Sequence, residues 1–540
     1  MIIDPQKSRD DTWTETSRRC HSSSDREDCD NNAGNDFGVE KNAKRYQNSN
    51  LQNPEYFSSR WREILFVISC MISQLLNQAA STQTNPLFNA ISDEFKSSSS
   101  KQTWLMASFP LVSGSFILVS GKFGDIYGLK KTLLGGYVVA TIWSLICGFS
   151  SYTSSVDFFI VARAFQGLGI AFVLPNIMGL VGTIYVPNTK VKNMVISMIG
   201  ACAPIGATFG VLFSGLIGTK TKNWAWTFYA YAVLAFVNGV IAWWVIPDNV
   251  PINSHNFKMD WVGSALGVTG LILLNFAWNQ GPIEGWGTSY VIALLVISLF
   301  ILLAFFVYEV RFAKEPLIPR AAMFNRRLLM ILSSIFFGWG SFGIWTFYYM
   351  CFVLNLRHYT PLWAGGTYFM FVIWGIIAAL TVGKTIHRMH PSILLFFSMV
   401  AFDCGCIMLA VTPVHQTYFR ITMGTMIILS FGMDFSFPAA SITLSDELPS
   451  EHQGMAGSLV STMINYSMSL CLGIGGTAER QINKSGNDLL KGYRAALYVG
   501  IGLASIGVFI SGTFMLENIY QARRKNMLAT KLENHLEKDA

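Results

Sequence analysis

Long, nearly uncharged apolar blocks run along the chain from about residue 64 to residue 516, and short polar or charged segments separate them. A bilayer core of about 30 Å needs about 20 apolar residues per helix, and blocks of that length recur along almost the whole chain. The pattern therefore predicts an all-α membrane protein with fourteen transmembrane helices. The predicted helices cover residues 64–87, 104–122, 133–150, 156–180, 194–218, 225–246, 261–280, 290–310, 329–354, 362–384, 393–412, 419–444, 454–476 and 494–516.

These helices divide into groups of six, two and six. We expect an N-terminal six-helix bundle at residues 64–246, two additional helices at 261–310 and a C-terminal six-helix bundle at 329–516. Residues 1–60 are rich in Asp, Asn, Ser, Arg and Lys and lack the apolar core of a signal peptide, which predicts a disordered tail. Residues 517–540 form a second predicted tail. No large soluble domain remains.

Composition and charge support the membrane class, since 51% of the 540 residues are hydrophobic and only 13% are charged. The net charge of +7 does not indicate nucleic acid, because most basic residues lie in short loops where anionic lipid headgroups are the natural partner. The excess of Lys and Arg in alternate loops predicts that both termini are cytoplasmic. The cysteines are scattered, so they predict neither a disulfide framework nor a metal site, and no cofactor is expected.

The loop after the second predicted helix combines glycines, one acid and several bases. It reads Gly121-Lys-Phe-Gly-Asp125-Ile-Tyr-Gly128-Leu-Lys130-Lys131. As a bare pattern it is a tight turn of the kind found on the positive inner side of a membrane. Its spacing, however, resembles the signature loop of the major facilitator superfamily, although Ile126 stands where a basic residue is usual. In that family the Asp helps to close one end of the pore, and the resemblance implies this role for Asp125.

The fourth predicted helix carries a charge among apolar and small residues, in the sequence Arg163-Ala-Phe-Gln166-Gly167-Leu-Gly169. A charge there is costly unless it faces partners or water. Two interpretations remain open: the side chain extends to the nearby membrane surface, or it has a functional role. The pattern resembles the helix 4 signature of the same family, whose Arg is tied to proton coupling. We favour the functional interpretation.

The fifth predicted helix is rich in small residues around a proline: Gly200, Ala203, Pro204, Gly206, Ala207 and Gly210. Small residues permit close helix approach and Pro204 frees a backbone carbonyl, so a packing seam is one interpretation. The segment also resembles the Gly-Pro-rich helix 5 of family members that export substrate in exchange for protons. Residues 383–391 are weakly similar to the signature loop. They lie where a six-helix repeat would place this loop if two helices were inserted between the repeats. This arrangement resembles the fourteen-helix drug:proton antiporter branch.

Proton exchange needs a buried acid that gains and loses a proton during transport. Asp434 and Asp403 lie near the middle of predicted helices, and Asp434 is followed by Pro438 one turn later. We therefore favour Asp434 as the proton-exchanging acid. For Asp403, a functional role and a structural role are equally good explanations. Glu309 and Glu479 lie near helix ends and are interpreted as interfacial.

The first predicted helix has a stripe of neutral polar residues, from which we select Asn77, Gln78, Thr82 and Gln83 as candidates for a substrate path. Such groups hydrogen-bond a polar solute but carry no proton. Many members of the drug:proton branch have an Asp in this helix, and this chain has none. Aromatic and glycine-rich stretches in the ninth and tenth helices either line a pore or pack helix against helix.

Across residues 54–516 the chain resembles the fungal aminotriazole-resistance permeases, a group that includes boron exporters. The segments that carry this resemblance are Ser69–Gln78, Trp104–Ser115, Phe431–Asp434 and Gln453–Ser458. The resemblance implies a plasma-membrane efflux transporter for boric acid, borate or small toxic heterocycles, working by proton antiport. The vacuolar membrane is the alternative location. We assume a monomer that interacts with its solute, with protons and with lipid.

Other functions remain as alternatives. A facilitator or importer of another small polar solute has the same fold, because fold does not determine function. A non-transporting membrane sensor is a further alternative. The spacing of His255 and Asp260 matches an acyltransferase motif, but no soluble domain accompanies it, so we expect no enzyme. Asn483 begins a glycosylation sequon in a loop predicted to lie outside.

Overall fold

The computed structural model describes residues 56–97, 101–185, 189–221, 223–252, 258–318, 320–385, 389–448, 455–483, 486 and 488–539. Most of the predicted N-terminal tail lies outside the described residues, as do His255 and the central residues of the 383–391 loop. Within the described ranges the secondary structure is helical, with no strand.

Fourteen helical segments are long and apolar enough to cross a membrane. They are α1 (Arg60–Glu94), α2 (Gln102–Tyr127), α3 (Leu129–Tyr152), α4 (Val156–Ile184), α5 (Lys190–Lys220), α6 (Ala225–Val245), α7 (Trp261–Glu284), α8 (Ser289–Arg311), α9 (Arg326–Leu356), α10 (Pro361–Thr385), α11 (Pro391–Val411), α12 (Ile421–Glu447), α13 (Met455–Ile482) and α14 (Leu489–Asp539). This confirms the predicted all-α class and the number of spans.

Several segments are not continuous α-helices. The regular helix of α1 ends at Thr82, and a 3-10 turn at Asn85–Leu87 leads into Phe88–Glu94. The other interruptions fall after Phe149 in α3, after Ala171 in α4, after Cys351 in α9 and after Gly366 in α10. Proline lies at or near the start of the new piece in α1 and α4, where its missing N–H leaves no helical bond unmade.

Some predicted helix ends are wrong. The loop expected between residues 122 and 133 is almost entirely helical, because α2 continues to Tyr127 and α3 begins at Leu129. The last helix continues to Asp539, through the segment expected to be a tail. Hydropathy locates the apolar part of a helix, but backbone hydrogen bonds extend a helix into polar sequence without any apolar side chain.

The helices pack as two halves and an additional hairpin. In the first half, α1 packs on α5, and α4 on α2 and α3; in the second, α9 packs on α14, and α11 on α12 and α14. The halves meet along two seams, α2 against α13 and α5 against α10. The hairpin α7–α8 lies outside the halves, and its helix α7 contacts both α2 and α13.

The two ends of the molecule are named the motif end and the far end. The motif end carries Gly128, between α2 and α3, and the far end carries Asn89, late in α1. Because the spans alternate in direction, α1 begins and α14 finishes at the motif end.

A buried hydrogen-bond network holds α1, α3 and α6 together. Asn238 Nδ2 donates to Tyr137 Oη over 2.7 Å and to Ser73 Oγ over 3.1 Å. Ser69 Oγ donates to Asn238 Oδ1 over 3.2 Å, and Tyr137 donates to Ser73. Since buried polar groups are costly without partners, this network fixes how the three helices face one another.

Candidate functional site

The seam between α5 and α10 brings together the proline of helix 5 and the favoured acid. Gly375 of α10 lies close to both residues: a Cβ at this glycine would be 2.7 Å from Pro204 Cβ and 3.0 Å from Asp434 Oδ2. Asp434 Oδ2 is buried and has no hydrogen-bond partner among the described residues. The carboxyl group of Asp434 in the second half therefore borders the first half at Pro204, a proline inside the continuous helix α5.

The other small residues of α5 have different neighbours. Gly206 packs against the backbone of Leu75, and Gly210 packs against Ala79 and Thr82, all on α1. Gly200 is exposed, and no atom of the described residues lies within 4 Å of its Cβ position. The motif that is continuous in sequence is thus divided between close packing on α1 and contact with α10.

Contacts across the α5–α10 seam continue from Pro204 toward the far end. Thr208 Oγ1 donates to the Tyr368 carbonyl over 3.1 Å, and Leu362 N donates to Thr219 Oγ1 over 3.1 Å. Gly383, near the motif end of α10, has no described atom within 4 Å of its Cβ position. The bonds of Thr208 and Leu362 place α5 and α10 in contact toward the far end.

Polar side chains connect the halves at the far end as well. Asn89 Nδ2 of α1 donates to Asn355 Oδ1 of α9 over 2.6 Å, and Asn355 Nδ2 donates to Tyr493 Oη of α14 over 2.8 Å. The rings of Phe88 and Phe347 pack beside this chain, with centroids 5.9 Å apart. These residues carry no distinguishing signal in the sequence, because amides near helix ends are common.

The polar stripe of α1 is divided among several partners. Thr82 Oγ1 donates to the Ala207 carbonyl of α5 over 2.9 Å, and Gln83 Nε2 lies 3.5 Å from Gln166 Oε1 of α4. Both side chains therefore face the interior of the first half. Asn77 and Gln78 are half-buried. Farther along α1, Asn85 lies beside Tyr368 of α10, where the two halves meet.

Arg163 is fully buried, which excludes the interpretation that it extends to the membrane surface. Its Nη1 donates to the Ala80 carbonyl over 2.9 Å and to Gln166, and its guanidinium lies 4.8 Å from the centroid of the Phe109 ring. Nε and Nη2 have no hydrogen-bond partner among the described residues. A buried cation with unused donors is costly for folding, which favours a functional role.

Asp403 and Asp434 are not neighbours in one site. Asp403 faces α14, where Ser505 Oγ donates to its Oδ2 over 3.4 Å, whereas Asp434 borders α10 and α5.

The aromatic stretch of α9 is packed inside the second half: Trp345 is fully buried and stacks on Tyr349 at a centroid distance of 4.9 Å. For these rings the structure favours helix packing over pore lining.

The residues of the signature loop are distributed over two helices and one turn. Gly128 has φ of 108°, a conformation that favours glycine, and it alone separates α2 from α3. A Cβ at Gly121 would lie 3.0 Å from Ser458 Oγ of α13, so this residue is part of the other seam. Asp125 and Lys131 are exposed.

Lys130 joins α3 to the segment after α6. Its Nζ donates over 2.7 Å both to the Ile246 carbonyl and to Asp248 Oδ1. The ammonium lowers the pKa of the exposed Asp248 carboxyl below its usual value. This pair lies within the first half.

Glu309, Asn483 and Asp260 each have a defined local environment. Glu309 does lie at a helix end, but it is fully buried by protein, so it is not exposed to headgroups. Asn483 Oδ1 accepts a hydrogen bond from Asp488 N over 3.2 Å, while the next two residues of the sequon lie outside the described part of the chain. Asp260 caps α7 by accepting from Gly263 N over 2.8 Å, a structural role that explains this residue without an acyltransferase motif.

The described helices thus form two halves that meet at two seams, with Asp434 beside one of them. A family model described as the Major Facilitator Superfamily matches residues 70–471. The chain belongs to this superfamily, as the signature loop indicated.

Similar proteins agree with this assignment. The aminotriazole resistance protein of Saccharomyces cerevisiae is 62% identical over 483 residues, which cover 89% of this chain and 89% of that protein. The low affinity ammonium transporter of the same yeast is 40% identical, over 90% of this chain and 95% of that protein. A solved structure of a POT family transporter in complex with 5-aminolevulinic acid aligns with a TM-score of 0.60 at 11% identity, covering 85% of this chain and 96% of that one. The last likeness concerns the fold alone.

Proposed function

We propose that this transporter exports small polar solutes, such as boric acid, borate or small toxic heterocycles, from the cytoplasm in exchange for protons. We place it in the plasma membrane with both termini cytoplasmic. The observation that carries the proposal is the position of Asp434, a half-buried residue whose Oδ2 is buried at the seam where α10 and α12 meet Pro204 of α5.

Proton exchange follows from what happens to this carboxyl when the seam opens. While α5 and α10 are in contact, the carboxyl is buried and its neutral form is favoured, because a buried charge without a partner is costly. When the halves separate, water reaches the carboxyl and stabilises the charged form. One group thus binds a proton in one conformation and releases it in the other, which couples proton flow to the alternation between the two conformations.

Arg163 supplies a second element of the proposal. It anchors α4 to the Ala80 carbonyl of α1 and leaves two nitrogens of its guanidinium, Nε and Nη2, without a partner among the described residues. These donors are suited to an oxygen-rich solute or to a carboxylate that approaches during the cycle. We propose that Arg163 takes part in the exchange.

The solute class is argued from the polar groups near the junction of the halves. Asn85 and Tyr368 face each other there. Within the second half, Trp339 Nε1 donates to Ser436 Oγ over 3.0 Å. Neutral donors and acceptors of this kind hydrogen-bond a small uncharged solute that carries hydroxyl or ring nitrogen groups. The resistance named for the relative from Saccharomyces cerevisiae supports the same class and the outward direction.

The test measures intracellular boron and radiolabelled aminotriazole in host cells after a load of each, at two external pH values. Cells without the protein are compared with cells that contain the intact protein, Asp434→Asn or Asp403→Asn at equal surface amounts. We expect the intact protein and Asp403→Asn to lower both solutes, and Asp434→Asn to lose export and its pH dependence. If the intact protein lowers neither solute, the proposed substrate class is wrong.

The name of the ammonium transporter favours one alternative, a carrier that brings a small nitrogen solute inward. The direction of flux separates the two functions. Accumulation of labelled methylammonium that depends on the intact protein, without any loss of boron or aminotriazole, would replace export with import.

A further inference from the structure

A buried charge cluster lies at the motif end of the hairpin α7–α8, away from the α5–α10 seam. Glu309, near the end of α8, is fully buried, and Asp260, before α7, is 9% exposed. Glu309 Oε1 and Asp260 Oδ2 both border the position that a Cβ of Gly263 would occupy. The two carboxyl groups are therefore close neighbours inside the protein, and the glycine between the helices makes room for them.

One lysine from the first half reaches this cluster. Lys122 Nζ of α2 donates to the carbonyls of Glu315, over 2.6 Å, and Pro316, over 3.1 Å, in the segment after α8. The carboxyl groups whose charge acts on this ammonium are those of Glu309, Asp260 and Glu315. Both carboxyl oxygens of Glu309, and Asp260 Oδ2, have no hydrogen-bond partner among the described residues, so the bonds of Lys122 to the two carbonyls are contacts that join α2 to this part of the hairpin.

The remaining charged and titratable neighbours do not replace Lys122. Arg320 donates to the backbone carbonyls of Glu309, over 3.4 Å, and Ala313, over 2.9 Å, instead of to a carboxyl group. Tyr308 lies beside Asp260. The backbone amides of Leu317 and Ile318 also face the Glu309 carboxyl. Of the described cations, Lys122 is thus the one that comes from a different unit of the fold.

Elsewhere the hairpin is bonded across the α2–α13 seam. Near the far end, Trp104 Nε1 of α2 donates to Gln280 Oε1 of α7 over 3.0 Å. In the middle, Ser469 Oγ of α13 donates to the Ala107 carbonyl of α2 over 2.9 Å and to Asn275 Oδ1 of α7 over 3.0 Å. Helix α7 therefore joins α2 to α13 over these turns, and the bonds of Lys122 to the segment after α8 attach the hairpin to α2 at the motif end.

We propose that Lys122 is a positioning residue for transport: through its bonds to the segment after α8, the hairpin holds the motif end of α2 against α13. The two helices touch there at Gly121 and Ser458. In a transporter that alternates between two states, one end must open as the other closes, so a bond that holds this end sets the rate of alternation. The proposal concerns the transport cycle and needs no particular solute.

The first test measures aminotriazole export, and this part rests on the proposed function. Lys122→Met is expected to change the maximal transport rate about fivefold or more, with little change in the concentration that gives half-maximal export. Lys122→Arg keeps the charge and the N–H donors, so it should restore the rate. Lys314→Met, at an exposed lysine in the same segment, is the control. A changed half-maximal concentration, or a rate that Lys122→Met leaves unchanged, would overturn the proposal.

The second test needs no transported solute. Ser458→Cys is introduced, and the rate at which a maleimide labels it in membranes is compared with and without Lys122→Met, against protein that has only its native cysteines. Loss of the attachment is expected to speed labelling about fivefold or more, since Ser458 is covered by Gly121 while α2 and α13 are held together. Equal labelling rates with and without Lys122→Met would overturn the proposal. If the intact protein exports no aminotriazole, the proposed function fails, and this measurement still decides whether the hairpin holds α2.

Discussion

Asp434 of α12 lies directly against Gly375 of α10, with its Oδ2 only 3.0 Å from the position of a Cβ at that glycine. The same position is 2.7 Å from Pro204 Cβ of α5. Three helices from both halves therefore meet around one missing side chain. Their approach explains why the proline-containing motif and a buried acid, far apart in sequence, belong to one site.

The first prediction concerns this glycine. Gly375→Ala places a methyl group where neither Pro204 nor Asp434 leaves room, and such overpacking costs about 1–3 kcal/mol. We expect a lower melting temperature and reduced transport. Gly383→Ala is the matched control, because its Cβ position on the same helix is open. Equal melting temperatures for the two variants would show that the seam adapts without cost.

A second prediction separates function from stability at Arg163. Replacing a buried charge that lacks a carboxylate partner by an apolar side chain of similar size is often neutral or stabilising. Arg163→Met is therefore expected to leave the melting temperature unchanged or raised, and to reduce export at least about tenfold, by roughly 1.4 kcal/mol or more. The melting temperature is measured on purified protein and export in cells. A large fall in melting temperature would instead assign a structural role to Arg163.

The third prediction concerns the network that joins α1, α3 and α6. Asn238→Leu removes the partner of Ser69, Ser73 and Tyr137 inside the first half. Leaving buried polar groups without partners costs about 1–3 kcal/mol each, so we expect a clear fall in melting temperature. Tyr137→Phe, which removes one hydroxyl, should cost less. If Tyr137→Phe is the more damaging change, the network is not organised around Asn238.

The fourth prediction tests whether the Asn89–Asn355 contact must open during transport. Cysteines at these two positions, joined by a short bifunctional thiol reagent, are expected to stop export, because the bond keeps the halves together at the far end. The single variant Asn89→Cys, treated in the same way, should continue to export. Full transport by the cross-linked protein would mean that this contact persists through the cycle.

Much of the fold follows from local sequence. The number of spans was correct because apolar length is a property of each segment by itself. The signature loop also identified the family correctly, although it proved mostly helical, since Lys122 and Asp125 continue α2 beyond its apolar part. Hydropathy contains no information on that continuation.

The candidate site was only partly accessible from sequence. Arg163, Pro204 and Asp434 were selected by their unusual positions in apolar helices. The pairing of Thr82 with Ala207, the far-end contact of Asn89 and the burial of Glu309 were not anticipated. A polar residue near a helix end has the same local sequence whether it faces headgroups or a neighbouring helix.

The sequence by itself thus determined how many helices cross the membrane and which residues in them are chemically unusual. Only the tertiary structure decided that Asp434 borders Pro204 while Asp403 faces α14, and that Lys122 is bonded to the segment after the inserted hairpin. The reason is physical: a helix forms from hydrogen bonds between residues four apart, but its neighbours are chosen by packing among segments hundreds of residues away.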